Sequence, residues 1–161
     1  MIERRRKFHM NGKILHKAWL LDGLFHSAPG FIVIENSVFR FSLIDTGTFS
    51  KKRIQRWEQL SGQVNLFERL REEEVIEILN VGLDKLDAYF PWYNFMGGAK
   101  FRVDGQVQEL HLSFMQPQNT KFPYHRLGGE LTQIAAALES SRDLKNGREF
   151  GKRLKQMFQK Q

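Results

Sequence analysis

The stretch from Phe90 to Phe114, FPWYNFMGGAKFRVDGQVQELHLSF, constrains the fold most. Phe101 and Val103 alternate with Lys100 and Arg102, and Leu110, Leu112 and Phe114 alternate with Glu109, His111 and Ser113. Between the two runs stands Asp104-Gly105, a pair that tolerates the positive φ of a tight hairpin turn. The pattern predicts an antiparallel hairpin, with Gly97-Gly98 supplying a bend or bulge where its first strand begins. That identifies a β-rich soluble domain. It does not identify a reaction.

The chain before this hairpin reads as a meander of antiparallel strands with one buried face. Ile14 to Leu21 is the first strand, and Asp22-Gly23 is a turn or bulge. Ser27-Ala28-Pro29-Gly30 is a second turn signal. Phe31-Ile32-Val33-Ile34 is a short apolar run, Glu35-Asn36-Ser37 is turn-like, and Val38 to Leu43 carries Phe39, Phe41 and Leu43 on one face. Asp45-Thr46-Gly47 breaks that strand. A helical insertion near 51–74 follows, with a small basic cluster (Lys51, Lys52, Arg53 and Arg56) and with Trp57 and Leu60 available to dock on the core. In FERLREEEVIEILN, composition favours a short helix to about Glu73, and the alternation from Val75 favours a strand. Gln116 to His125 reads as a polar loop.

The end of the chain reads as two helices. Leu127, Leu131, Ile134 and Leu138 recur at helical spacing. Asn146-Gly147 ends that helix, and Phe150, Leu154 and Met157/Phe158 mark a second one with Arg148, Lys152, Arg153 and Lys155 mostly around its other side. The expectation is one α+β domain over 1–161: a basic arm (1–11), a β-rich body (12–126) and C-terminal helices (127–161). Its sheet is antiparallel and strongly bent, or a partly open barrel.

At 161 residues one sizeable core is within reach. With no cysteine, disulfides, thiolate catalysis and cysteine-ligated metal centres are excluded, and a reducing cytosol is the natural compartment. No apolar run reaches the length of a membrane span, and the start has no apolar stretch of the signal-peptide kind. Glu3 and the missing serines argue against a transit peptide.

The net charge of +7 is placed unevenly. Residues 1–17 hold six Lys/Arg against Glu3, and residues 142–161 hold seven against Asp143 and Glu149. The body between them holds 12 basic and 15 acidic side chains, so all the excess lies in the two ends. That arrangement points to anionic partners, either phosphate backbones or acidic lipid surfaces. Charged ends that only keep the protein in solution are the plainer reading.

No local pattern carries catalysis. The five histidines (9, 16, 26, 111 and 125) include no i, i+4 pair of the helical metal motif, and G-x-S-x-G, P-loop and dinucleotide fingerprints are absent. Carboxylates between 68 and 77 fit the wet face of a helix. Neither a metal nor a redox cofactor is expected, and the chain reads as a binding protein rather than an enzyme. The aromatic cluster Tyr89 to Phe95 admits two readings. One is core packing; the other exposes Trp92 and Tyr93 as a membrane-interface or base-stacking platform.

The order of elements resembles the bacterial pleckstrin-homology/GRAM-like domains, a bent sheet closed at one end by a C-terminal helix. APGFIVIENSVFRFSL (28–43) looks like that family's second and third strands. VIEILNVGLDKLDAYFPWYNFMGGAKFRVDGQVQELHLSF (75–114) is similar to its apolar strand, short aromatic stretch and Gly-led hairpin. The resemblance covers about half the chain and implies binding of lipid headgroups or proteins without catalysis. Segment 44–74 departs from it as an insertion. A second resemblance, to the cyclic-di-GMP-binding PilZ domains, is incomplete: Arg5 is followed four residues on by His9, and Asp45-Thr46-Gly47-Thr48 does not supply the family's second motif.

From the residues and the resemblance together, the expected function is a noncatalytic module recruited to an anionic membrane surface or a protein partner. The candidate contacts are Arg4, Arg5, Arg6, Lys7, Trp92, Tyr93, Arg148, Lys152, Arg153 and Lys155. A nucleic-acid-binding accessory protein using the same ends is the alternative. Such a module is expected in the cytoplasm, peripheral to the membrane where it binds one.

Overall fold

The structure, a computed structural model, describes residues 13–91, 98–139 and 144–159. It is an α+β fold built on one seven-stranded sheet: β1 (Ile14–Asp22), β2 (His26–Glu35), β3 (Val38–Leu43), β4 (Ile76–Gly82), β5 (Leu86–Tyr89), β6 (Gly98–Val103) and β7 (Glu109–Ser113). Every pairing is antiparallel, in the order β4-β3-β2-β1-β7-β6-β5. The sheet is not closed into a barrel, since β4 and β5 form its two edges. It is nevertheless strongly curled. Seven strands laid flat would separate those edges by about 29 Å. Only Leu83–Lys85 joins Gly82 to Leu86, a reach of about 14 Å at full extension.

Helices α1 (Lys51–Ser61) and α2 (Leu66–Arg71) lie between β3 and β4, where the composition placed an insertion. Ser50 caps α1, its side chain accepting the Arg53 amide at 3.3 Å. Ile54, Trp57, Leu66 and Leu70 from these two helices join the apolar cluster on the concave side of the sheet, with Leu20, Ile32, Phe39, Phe41, Phe101 and Leu112. The other helices are α3 (Thr132–Glu139) and α4 (Leu144–Gln159). Phe150 and Leu154 of α4 enter the same concave cluster.

One buried face proves true of β3, which alternates strictly, and false of β1 and β2. Trp19, Phe31, Val33 and Ile44 form a second cluster on the convex side, beneath Phe122, Leu127 and Leu138. Gln116 to His125 is thus part of a cover that continues to residue 139, rather than a polar loop. Polar ties hold it down: Lys17 Nζ donates to the Tyr124 hydroxyl (2.7 Å), Arg126 donates to the Leu70 carbonyl (2.8 Å), and the Ser27 and Thr120 hydroxyls share a hydrogen bond. Burial on both faces explains why Phe31 to Ile34 is continuously apolar instead of alternating.

Two turn or breaker signals are overridden. Ser27 to Gly30 lies inside β2, not in a turn. Pro29 is tolerated there because its carbonyl accepts the Ile44 amide on the β3 side. A strand residue's N–H and C=O point the same way, so the donor that proline lacks would face a ladder that ends at Leu43. Asn146-Gly147 does not end a helix either, since α4 runs through it. A Cβ at Gly147 would stand 2.5 Å from Met115 Cγ and 2.9 Å from the Phe114 carbonyl oxygen, so glycine here permits close packing. Leu127 precedes its predicted helix: Gly128-Gly129 and a single 3-10 turn intervene, and α3 starts at Thr132. The β6–β7 hairpin forms as expected, but residues 104–108 connect its strands rather than a tight two-residue turn.

Candidate interaction surfaces

Six of the ten candidate contacts (Arg4, Arg5, Arg6, Lys7, Trp92 and Tyr93) lie outside the described residues. Their neighbours Tyr89, Phe90 and Pro91 divide: Tyr89 faces solvent, Pro91 is buried, and Phe90 packs edge-on to Phe101 at 6.5 Å.

The other four sit on α4 and are all exposed. The helix is fixed by its apolar stripe. The Phe150 ring stacks on His16 at 4.2 Å and meets the Phe114 ring edge-on at 4.9 Å. Phe158 lies 6.0 Å from Phe101. Because this stripe is spent on the core, α4 cannot lay an apolar face into a bilayer. Its basic face remains. Arg148, Lys152 and Lys155 follow i, i+4, i+7 and share one side of the helix, with Arg153 on its flank. Like charges at these spacings oppose helix formation by roughly 0.2–0.5 kcal/mol a pair.

A second basic surface was foreseen only as a cluster. Lys51, Lys52 and Arg53 occupy the first turn of α1, where cations oppose the helix dipole and no acidic residue offsets them. Compensation comes from outside the helix. Asp22 at the end of β1 binds Arg53 at 2.6 Å and Arg56 at 3.5 Å. Glu68 of α2 binds Lys51 at 2.5 Å, and this contact lowers the Glu68 pKa and raises that of Lys51. Lys52 has no ion pair among the described residues.

Next to this cluster are apolar side chains that sequence reasoning did not single out. Leu24 and Phe25, at the β1–β2 tip, are 93% and 73% exposed, and Val107, at the β6–β7 tip, is 94% exposed. Both tips lie on the rim beyond the end of the β1–β7 pairing, which stops at Leu20–Leu112. Helix α1 spans this rim. Its first turns reach Asp22, while Leu60 and Ser61 at its far end line a cleft of about 250 Å³ with Gln63, Val103 and Gln106. The available signal was an apolar residue placed inside a turn: Asp22-Gly23-Leu24-Phe25 and Asp104-Gly105-Gln106-Val107.

The rim and the α4 face are separate places. Phe150 stacks on His16, and six residue steps of extended β1, about 20 Å, separate His16 from Asp22.

Among the described residues no group of three or more His, Asp or Glu stands close enough to hold a metal ion, and no helix is long and apolar enough to cross a membrane. His111 is half-buried on β7, and its pKa lies below the ordinary histidine value. Burial, then the neighbouring Lys100, push it down against the pull of Glu109. A scan against protein-family models, a search of curated proteins and a search of solved structures each find no match to this chain.

Proposed function

We propose that the protein is a noncatalytic binding module of pleckstrin-homology/GRAM-like architecture that docks on an anionic membrane surface. The observation that carries this is α4: its apolar stripe is buried, while Arg148, Lys152, Arg153 and Lys155 face solvent. Such a face attracts anions electrostatically without inserting. The architecture is supported by the antiparallel order β4-β3-β2-β1-β7-β6-β5 followed by a C-terminal helix on the concave core. Arg4, Arg5, Arg6 and Lys7 add charge to the same task, and Trp92 and Tyr93 an aromatic contact.

Basic residues near an anionic membrane contribute on the order of 1 kcal/mol each. Arg148→Gln with Lys152→Gln and Lys155→Gln therefore weakens vesicle binding roughly a hundredfold. The test is co-sedimentation with phosphatidylcholine vesicles containing or lacking phosphatidylserine, over a range of salt. Binding that requires phosphatidylserine, falls with salt and drops in the triple variant supports the module. Tight binding to single-stranded oligonucleotide and none to vesicles transfers these charges to nucleic acid, and loss of that binding in Trp92→Ala identifies base stacking. Binding to neither ligand at low salt overturns the function.

A further inference from the structure

We infer that the convex side of the sheet, beneath the 116–139 cover, binds the carboxylate of an apolar monocarboxylic acid, with Lys17, Trp19 and Tyr124 as donors. This site is independent of the membrane-docking function proposed above. It begins with a charge that the fold leaves unmatched. Lys17 is 6% exposed, yet its ammonium has no ion pair among the described residues. Its one hydrogen bond there is to the Tyr124 hydroxyl at 2.7 Å. The Phe122 and Tyr124 rings stand 5.9 and 5.4 Å from Nζ, near the outer limit of a cation–π contact. Buried charges are ordinarily paired. Two residues on, Trp19 is 1% exposed, and its buried indole N–H has no acceptor among the described residues.

The two donors belong to one place. Residues 17 and 19 alternate onto the same face of β1, about 7 Å apart along the strand. Both border the Phe122 ring, which the Trp19 ring meets edge-on at 5.8 Å. The two oxygens of one carboxylate suit two donors at this separation. A water molecule would satisfy the indole and leave the ammonium without a counter-charge. A phosphate dianion would bring a second negative charge into apolar surroundings with only one cation to meet it. Those surroundings select the rest of the ligand. Phe31, Val33, Phe122 and Leu127 are buried around the donors, and the cluster reaches the surface at half-buried Leu15, Tyr124 and Ile134. An acyl or aryl body fits that apolar margin.

The probes are octanoate, octanol as its uncharged counterpart, and inorganic phosphate, each titrated into the full-length isotope-labelled protein and followed by the indole N–H signals in NMR spectra. Trp19→Phe identifies the Trp19 signal. Octanoate is expected to shift that signal saturably, while octanol and phosphate leave it in place. The Trp57 indole, in the concave cluster, keeps its position and reports that the fold is intact. Lys17→Met keeps most of the side-chain volume, removes the charge and weakens octanoate binding about ten- to a hundredfold, the worth of a charged hydrogen bond. Should that variant not fold, Tyr124→Phe, at a half-buried position, removes a neutral donor and weakens binding about threefold or more. A Trp19 signal that does not move with octanoate overturns the site. So does an equal response to octanol, which leaves only an apolar crevice, an equal or larger response to phosphate, or octanoate affinity unchanged in Lys17→Met. None of these outcomes bears on vesicle binding, so this inference and the membrane-docking function fail separately.

Discussion

Helices α1 and α4 are built to the same recipe and used differently. Each buries a short apolar stripe in the concave core, Ile54 and Trp57 from one, Phe150 and Leu154 from the other. Each carries about four cations on its outer surface. The cations of α1 crowd its first turn and are met by Asp22 and Glu68 from neighbouring elements. On α4 the sole acid among residues 147–159 is Glu149. Basic residues on an amphipathic helix therefore do not define a role by themselves. What the rest of the fold sets opposite them does.

The most forceful way to break the comparison is to remove the stripes. Trp57→Ala is expected to destabilise the fold by about 3–5 kcal/mol and Leu154→Ala by about 2–5, through lost burial plus the cavity left behind. Urea denaturation midpoints measure both. If Leu154→Ala is nearly neutral, α4 is not docked as described and the two helices are not alike.

Gly147→Ala comes next. The added Cβ meets the Phe114 backbone oxygen as well as Met115, and only the methionine can move aside. A loss of about 1–3 kcal/mol is expected, although alanine is the better helix former. A gain in thermal stability would show that α4 stands further from residues 114–115.

Asp22→Asn sharpens the electrostatic half of the comparison. The Arg53 and Arg56 contacts are partly solvated, so the stability change stays within about 1 kcal/mol. Two cations are released from their carboxylate, however, which raises the positive charge that α1 presents. Binding to phosphatidylserine vesicles should rise, and a fall would mean that the anchoring of the arginines matters more than their number.

The smallest expected effect is the acid limb of His111. Its folded-state pKa lies below the ordinary 6.5, so the unfolded chain takes up a proton first as pH falls. The unfolded state then binds more protons, and stability declines as pH drops through 6.5, levelling off below the folded value. His111→Gln should flatten that limb in pH-dependent thermal melts and leave the limb attributable to Glu68, at lower pH, in place.

Much of the fold was legible wherever a pattern answers to a single neighbour. The Val38–Leu43 strand was placed to the residue, because β3 buries one face and alternates accordingly. The helix-then-strand reading of 67–80 was also sound, with α2 ending at Arg71 and β4 starting at Ile76. Failures came where a second layer intervened. Pro29 and Gly147 are breakers by local chemistry, but in place the one sits at the end of a ladder and the other under a close contact. The exposed rim was missed for a related reason. Leu24 and Val107 lie 83 positions apart in separate turns, and their exposure follows from the fold rather than from any local pattern.

That pairing also has a kinetic consequence. β1 to β3 form one meander of sequential hairpins and β5 to β7 another, while β4 joins β3 across the two-helix insertion. The two are stitched by Trp19–Ser113 and Leu20–Leu112, residues more than ninety apart in the chain. Closing a loop of that length is the largest single entropic demand in the topology, and few hydrogen bonds reward it at once. Each meander can gain structure early, and cooperative folding waits on the stitch. Amides of β1 and β7 should accordingly acquire protection from hydrogen exchange together, after those of the β2–β3 hairpin.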